Sequence, residues 1–345
     1  GTTRQTAAIL RDYGCRSCKL KLFVLCWTGV IQKDLDKPIR LKMENTSVNN
    51  RWQSAKQKRY KAHIADVDGN LTSEKEKTEY LSDEIVKRIR RKLLAGIPFG
   101  VCSARSFRKN KMLDNIKNAV LDNLPEAAAK RFFLFPEQGT SAITFTTAPQ
   151  GGVTTKEVDL AELFDILPGN KDILSDAYKA KLFDYLNKNL SVTASLEYKS
   201  PKKYGFLAAI KCNSPFSDED YRKRIELITK EVNRLLASAF PAFSASCTRS
   251  SVYVAVKGAC KELALKYFAL LYNISKDEIV GTDDQGEKNG VGWPLTNHKA
   301  GFSTNTYDPE SVFQIPLSLI CGMKGKDAWL FLDDNLSYLS PDDIQ

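Results

Sequence analysis

Over residues 61–140, short apolar runs that stop at polar or glycine-containing turns alternate with segments whose apolar positions recur every three or four residues. The first run, Ala62-His63-Ile64-Ala65, ends on Asp66-Val67-Asp68-Gly69-Asn70-Leu71-Thr72. A helical pattern spans 76–94, an apolar strand ends at Ser103, and Phe133-Leu134-Phe135 closes on Pro136-Glu137-Gln138-Gly139. Strand and helix taking turns in this way predict an α/β fold, a Rossmann-like parallel sheet covered on both faces.

The texture changes at about residue 141. A strand is expected over 140–147, a turn at 149–153, and helical segments over 160–167 and 173–190. Strands at 191–198 and 204–212 flank the turn Lys199-Ser200-Pro201-Lys202-Lys203. A long amphipathic helix over 218–239 then precedes strands at 243–248 and 251–256. This pattern predicts an α+β domain at 141–255 inserted into a core made of 61–140 and 256–345. Residues 1–60 stand apart as a basic, partly ordered extension.

Chemistry gathers at the strand ends. Asp66 and Asp68, one residue apart before the break at Gly69, can share one cavity. One carboxylate then serves as nucleophile and metal ligand, and the other exchanges a proton with leaving group and water. The strand within Gly96-Ile97-Pro98-Phe99-Gly100-Val101-Cys102-Ser103-Ala104-Arg105 ends on the hydroxyl of Ser103. Lys261 opens a helix, and the strand Ile279-Val280-Gly281-Thr282 ends on Asp283 and Asp284. Adjacent carboxylates at a buried strand end repel unless a cation lies between them and the nucleophile. An all-oxygen set of that kind suits Mg²⁺. Ligands of open α/β sheets sit at the carboxyl ends of the strands, where these groups can converge.

Asp-x-Asp-Gly-x-Leu-Thr after a hydrophobic strand resembles motif I of the haloacid dehalogenase-like superfamily, most of whose members are phosphatases. Ser103 resembles the hydroxyl of the Thr-Gly-Arg motif II of its Cof-type branch, and Glu137-Gln138-Gly139 resembles that branch's Glu-Asn-Gly. Lys261 matches the lysine that opens the motif III helix, and Gly281-Thr282-Asp283-Asp284-Gln285-Gly286 resembles motif IV. The resemblance covers roughly residues 60–345. It implies a core with a large inserted cap of the C2 type, as in Cof-type, sucrose-phosphatase and phosphomannomutase relatives. The activity implied is Mg²⁺-dependent phosphomonoester hydrolysis of a sugar phosphate or similar small metabolite. Asp66 would form an aspartyl-phosphate, Asp68 would act as acid and base, and Ser103 and Lys261 would hold phosphoryl oxygens. Mg²⁺ would bridge Asp66, the Asp68 carbonyl and Asp284, with Asp283 standing where the family has glycine. Lys202, Lys203 and Tyr204 are candidates for choosing the leaving group.

Two positions depart from the pattern. Asn70 replaces the usual threonine of motif I, and Gly292 falls where motif IV carries a second acid, leaving Asp283 or Glu287 to substitute. The missing acid makes a weakened binding module one alternative, and a phosphohexomutase-like phosphotransferase, which would share the aspartyl-phosphate, is the other.

Composition narrows the classes further. Of the net charge of +10, residues 1–60 hold +9 (thirteen Lys/Arg against four Asp/Glu), so the remainder is nearly neutral. Any nucleic-acid contact is thus expected through the amino-terminal arm alone. No stretch approaches the roughly 20 apolar residues of a membrane span, and the run at 20–31 lacks a cleavage pattern. Eight scattered cysteines suit reduced thiols, and a cytoplasmic location is expected. Cys15 and Cys18 lack a second pair for zinc. With only His63 and His298 available, a histidine-based triad is not expected.

Overall fold

Ala62–Asp66 is buried at every position, and such a strand needs neighbours on both sides and layers on both faces. It has them. The computed structural model describes residues 46–345 except 74–78, 108–110, 149–151, 191–194, 212–217, 249 and 345. Most of the basic extension, Cys15, Cys18 and the apolar run at 20–31 lie outside the described residues. Residues 51–345 form one compact unit.

In chain order the strands of this unit are β1 (Arg59–Tyr60), β2 (Ala62–Asp66), β3 (Phe99–Cys102), β4 (Phe132–Phe135), β5 (Ser141–Ala148) and β6 (Gly152–Asp159). There follow β7 (Ser195–Lys202), β8 (Gly205–Lys211), β9 (Phe243–Cys247) and β10 (Ser251–Val256). The last four are β11 (Ile279–Gly286), β12 (Gly301–Tyr307), β13 (Ile315–Pro316) and β14 (Ser337–Tyr338). Eight strands make the main sheet in the order β13-β12-β11-β2-β3-β4-β5-β6, parallel from β13 to β4 and antiparallel beyond. The strand that ends on Asp66 thus lies between the strand that leads to Ser103 and the strand that carries Asp283 and Asp284. A separate antiparallel sheet has the order β7-β8-β10-β9.

Two differences from the sequence reading have clear causes. The strand expected at 140–147 to begin the inserted domain pairs onto β4 as β5, and β6, which was not expected, pairs onto it in turn, so both extend the core sheet. Alternation within a strand does not say which sheet it joins. The turn expected at 199–203 is strand instead. A register shift between Tyr198 and Ser200 lets Pro201 sit opposite Phe206, and the chain reverses only at Lys203 and Tyr204.

The helix expected over 76–94 is Asp83–Leu94 among the described residues, with Ser82 at its N-cap and two acids in its first turn. It buries Ile85, Ile89 and Leu93 against Phe99 and Val101. Each such side chain contributes about 1.5–3 kcal/mol by leaving water. On the other face, Phe268 of helix Glu262–Tyr272 meets Phe133 and Phe135 at ring distances of 4.9 and 5.3 Å. This aromatic cluster seats the helix that Lys261 precedes. Residues 51–60 also belong to the core: Trp52 stacks on Phe331 and Tyr60 is fully buried.

Candidate functional site

β2 releases its chain into a wide turn, Val67–Leu71, closed by the Thr72 N–H donating to the Val67 carbonyl at 3.0 Å. Gly69 takes φ of 75°, a left-handed conformation that other residues adopt with strain. Asn70 explains its own departure from the motif. Its amide nitrogen donates to the Asp66 carbonyl at 3.0 Å and to the Thr282 hydroxyl at 3.0 Å, tying the turn to β11.

Sheet register aligns the charges. Thr282 pairs with Ala65 in the parallel ladder of β11 and β2, so Asp283 comes level with Asp66. The β12 ladder shifts register between Asp283 and Gln285, and strict alternation lapses there. Asp66, Asp283 and Asp284 consequently place carboxylate oxygens within 4.8 Å of one another, all buried. Lys261 Nζ lies 2.6 Å from Asp66 Oδ1 and 2.6 Å from Asp283 Oδ2. Burial pushes the Asp66 carboxyl up, the Lys261 ammonium pulls it back, and it settles at about 7. Burial works to lower the Lys261 ammonium, but Asp283 and Asp66 hold it well above its ordinary value. Two carboxylates on one ammonium, with Asp284 beside them, leave a negative excess in a buried site. Hard oxygen donors with that excess fit a divalent cation such as Mg²⁺.

Asp68 stands elsewhere. Its side chain is half exposed, and both oxygens engage Arg105, from Nε at 3.0 Å and Nη2 at 2.8 Å. Ser103 is buried at the end of β3, where its hydroxyl accepts the Arg105 N–H at 3.1 Å and its carbonyl accepts the Gln138 N–H at 2.8 Å. Ser103 thereby shapes the loop that aims Arg105. Arg105 was not singled out in the sequence, although it lies in the quoted motif II segment. Glu287 is outside the acidic trio and accepts from the Thr306 hydroxyl.

The gap in motif IV has a steric cause. A Cβ at Gly292 would fall 2.1 Å from Asp283 Oδ1 and 2.2 Å from its carboxyl carbon. Position 292 is a glycine because Asp283 occupies the space an acid there would need. Gly292→Ala is expected to displace Asp283 and lower stability by about 1–3 kcal/mol. Denaturant melts equal to those of the native chain would contradict this account.

Around these groups opens a cleft of about 1120 Å³. Asp66, Asp68, Arg105 and Lys261 line its floor, with Ser200, Lys202 and Ser251 from the second sheet above. Of the three leaving-group candidates only Lys202 lines it. Lys203 donates its N–H to Glu137 at 3.2 Å, and its ammonium, like the Tyr204 hydroxyl, binds Asp159. Those two residues fasten the β7–β8 hairpin to the core sheet.

No protein-family model matches the chain, and no curated protein matches it. Solved structures do. An amino-terminally truncated, IMP-bound IMP-nucleotidase from Plasmodium falciparum is 15% identical over 80% of this chain and 68% of that one, with a TM-score of 0.52. A second structure of the truncated enzyme gives 16%, 82%, 73% and 0.50 for the same quantities. An IMP-bound mutant of that enzyme gives 15%, 68%, 62% and 0.49, so the match spans under two thirds of its length. At these identities what is shared is the fold, an α/β arrangement with a parallel central sheet. No helix among the described residues is long and apolar enough to cross a membrane.

Proposed function

We propose that the chain is a Mg²⁺-dependent phosphomonoester hydrolase acting on a sugar phosphate or a similar small polar metabolite. The observation that carries this reading is the buried trio Asp66, Asp283 and Asp284, two of them paired with Lys261, with Asp66 and Lys261 opening onto a large cleft. The shared fold with an IMP-nucleotidase, itself named for a phosphomonoester, supports it. The separate four-stranded sheet above the cleft supports the large-cap, Cof-type and sucrose-phosphatase-like branch. Among the described residues no aromatic side chain lines the cleft, which favours a sugar over a stacked nucleobase.

In this mechanism an Asp66 oxygen attacks phosphorus, the ester oxygen leaves, and Asp68 gives it a proton. Asp68 then takes a proton from water, which attacks the aspartyl-phosphate, frees inorganic phosphate and restores the Asp66 carboxylate. Lys261 and Arg105 hold the transferring oxygens as charge moves across them. Arg105 must leave Asp68 for Asp68 to carry a proton, and an incoming phosphate supplies the guanidinium with another bidentate partner. Mg²⁺, held by Asp66, Asp283, Asp284 and the Asp68 carbonyl, would offset the repulsion between nucleophile and phosphate. The binding-module alternative was motivated by Gly292, which the Asp283 side chain accounts for. Four described cysteines are free thiols, in keeping with a cytoplasmic enzyme.

The test is phosphate release from hexose phosphates, IMP and p-nitrophenyl phosphate, with Mg²⁺ and with chelator. Release that needs the cation is expected, with hexose phosphates ahead of IMP, and no release from any ester would sink the reading. Cation binding should also depend on pH. The folded Asp66 value of about 7 lies above the ordinary carboxylate value, so the metal-free protein keeps a proton that the unfolded chain releases. Its contribution to stability is present in acid and lost as pH rises towards 7 and beyond. Mg²⁺ competes with that proton, so saturating cation should raise Tm by about 5 °C at pH 8 and far less at pH 5.5. An equal rise at both values would place the cation away from Asp66.

A further inference from the structure

The turn after β4 carries strain and unmet hydrogen bonds together. Glu137 and Gln138 have φ of 50° and 63°, successive left-handed residues that are not glycine. A conformation of this kind is unfavourable and persists where the surroundings impose it. Here the Gln138 N–H is fixed on the Ser103 carbonyl at 2.8 Å. Gly139 then brings the turn so near the Lys261 helix that a Cβ on it would lie 3.1 Å from the Lys261 Cα. The result is a buried Gln138 side chain, 1% exposed, whose amide nitrogen and oxygen have no partner among the described residues. A buried amide left unpaired is destabilising.

Gln138 borders two spaces. One is the cleft that holds Asp66, and the other is a chamber of about 190 Å³ beside it, between β9–β10 and residues 288–294. Tyr253 of β10 lines the same chamber, and its hydroxyl is also buried without a partner among the described residues. Tyr253 is only 4% exposed, so it offers the chamber no stacking face. Ser244, Ser246 and Asn289 add neutral polar groups, and Trp293, its indole N–H on Asp308, closes one side. Lys288 is the single charged residue on the wall.

We propose that this side chamber is a leaving-group subsite, in which the Gln138 amide and the Tyr253 hydroxyl bind hydroxyl groups of the organic part of the substrate. The proposal rests on the phosphomonoesterase reading and deepens it. A neutral amide and a neutral phenol each donate and accept, which matches a polyhydroxylated group and neither a second anion nor a hydrocarbon. One group comes from the core and the other from the second sheet, so a substrate that satisfies both also bridges the two sheets. Esters without hydroxyl groups leave both unsatisfied and lose that discrimination.

The experiment compares kcat/KM for a hexose phosphate with that for p-nitrophenyl phosphate in the native chain, Gln138→Leu and Tyr253→Phe. The ratio of the two values is expected to fall tenfold or more in each variant, chiefly through KM for the hexose phosphate. Tm should hold or rise, because an unpaired buried polar group gives way to an apolar one. An unchanged ratio, or a lowered Tm with both substrates losing equally, assigns the two residues to structure and overturns the proposal. Tyr253→Phe removes one oxygen and keeps the test available if Gln138→Leu does not fold. Failure of the native chain to hydrolyse either ester overturns the underlying phosphomonoesterase reading, a result distinct from an unchanged ratio.

Discussion

Asp66→Asn is expected to abolish phosphate release, by about 10³-fold or more, in a protein that still folds. The amide keeps the shape of the carboxyl but offers no anionic oxygen to attack phosphorus. Stability should move the other way. Asp66 is buried beside Asp283, and burial pushes its carboxyl up to about 7, so the native protein is strained by ionising it. Lys261 remains paired with Asp283 at 2.6 Å when Asp66 is neutral, so no buried ammonium is stranded. In chelator at pH 8 the Tm of the variant should equal or exceed that of the native chain. With Mg²⁺ the order should reverse, because the variant has one anionic ligand fewer. A variant that still releases phosphate at a tenth of the native rate would remove Asp66 from the role of nucleophile. One that melts far below the native chain in chelator would show that Asp66 holds the fold.

The sequence revealed what local pattern can encode. A buried strand, two aspartates and a left-handed glycine turn mark Asp66 without any knowledge of its neighbours. The spacing of apolar residues after Lys261 marks the helix that presents it. Whether Asp283 or Asp284 faces Asp66 depends on ladder register, with Thr282 opposite Ala65, and on a shift against β12 that no local pattern announces. Arg105 meets Asp68 across 37 positions of chain, a contact made by two loops and not by either alone. The orphaned amide of Gln138 is a property of burial, and burial of a single polar side chain in a turn leaves no periodic trace. Pro201 misled for the opposite reason: proline is a strong turn signal, and here a register shift in the strand accommodates it. The sequence left Asp283 and Glu287 both open as substitutes for the acid missing at Gly292, because it does not show that Asp283 fills the space beside that glycine.

Lys261→Met carries the second large effect, and it separates the lysine's two duties. The ammonium is 2% exposed and contacts two carboxylates that are themselves 7% and 0% exposed. Removing one member of a buried, hydrogen-bonded ion cluster costs about 3–5 kcal/mol, because the partners stay behind uncompensated. In chelator the variant should therefore melt well below the native chain. The loss should be greater at pH 8 than at pH 5.5, since Asp66 without its ammonium takes up a proton more readily. A divalent cation supplies positive charge to the same oxygens, so Mg²⁺ should recover part of that stability. It should not recover the rate. In the proposed reaction the lysine also holds a phosphoryl oxygen, and losing one preorganised donor of that kind lowers turnover by about 10²–10³-fold. Calorimetry with and without Mg²⁺ beside steady-state rates resolves the two duties. Recovery of both stability and rate by the cation would reduce Lys261 to a counter-ion. Recovery of neither would mean that the cation does not bind among Asp66, Asp283 and Asp284, and the proposed metal centre would have to be abandoned.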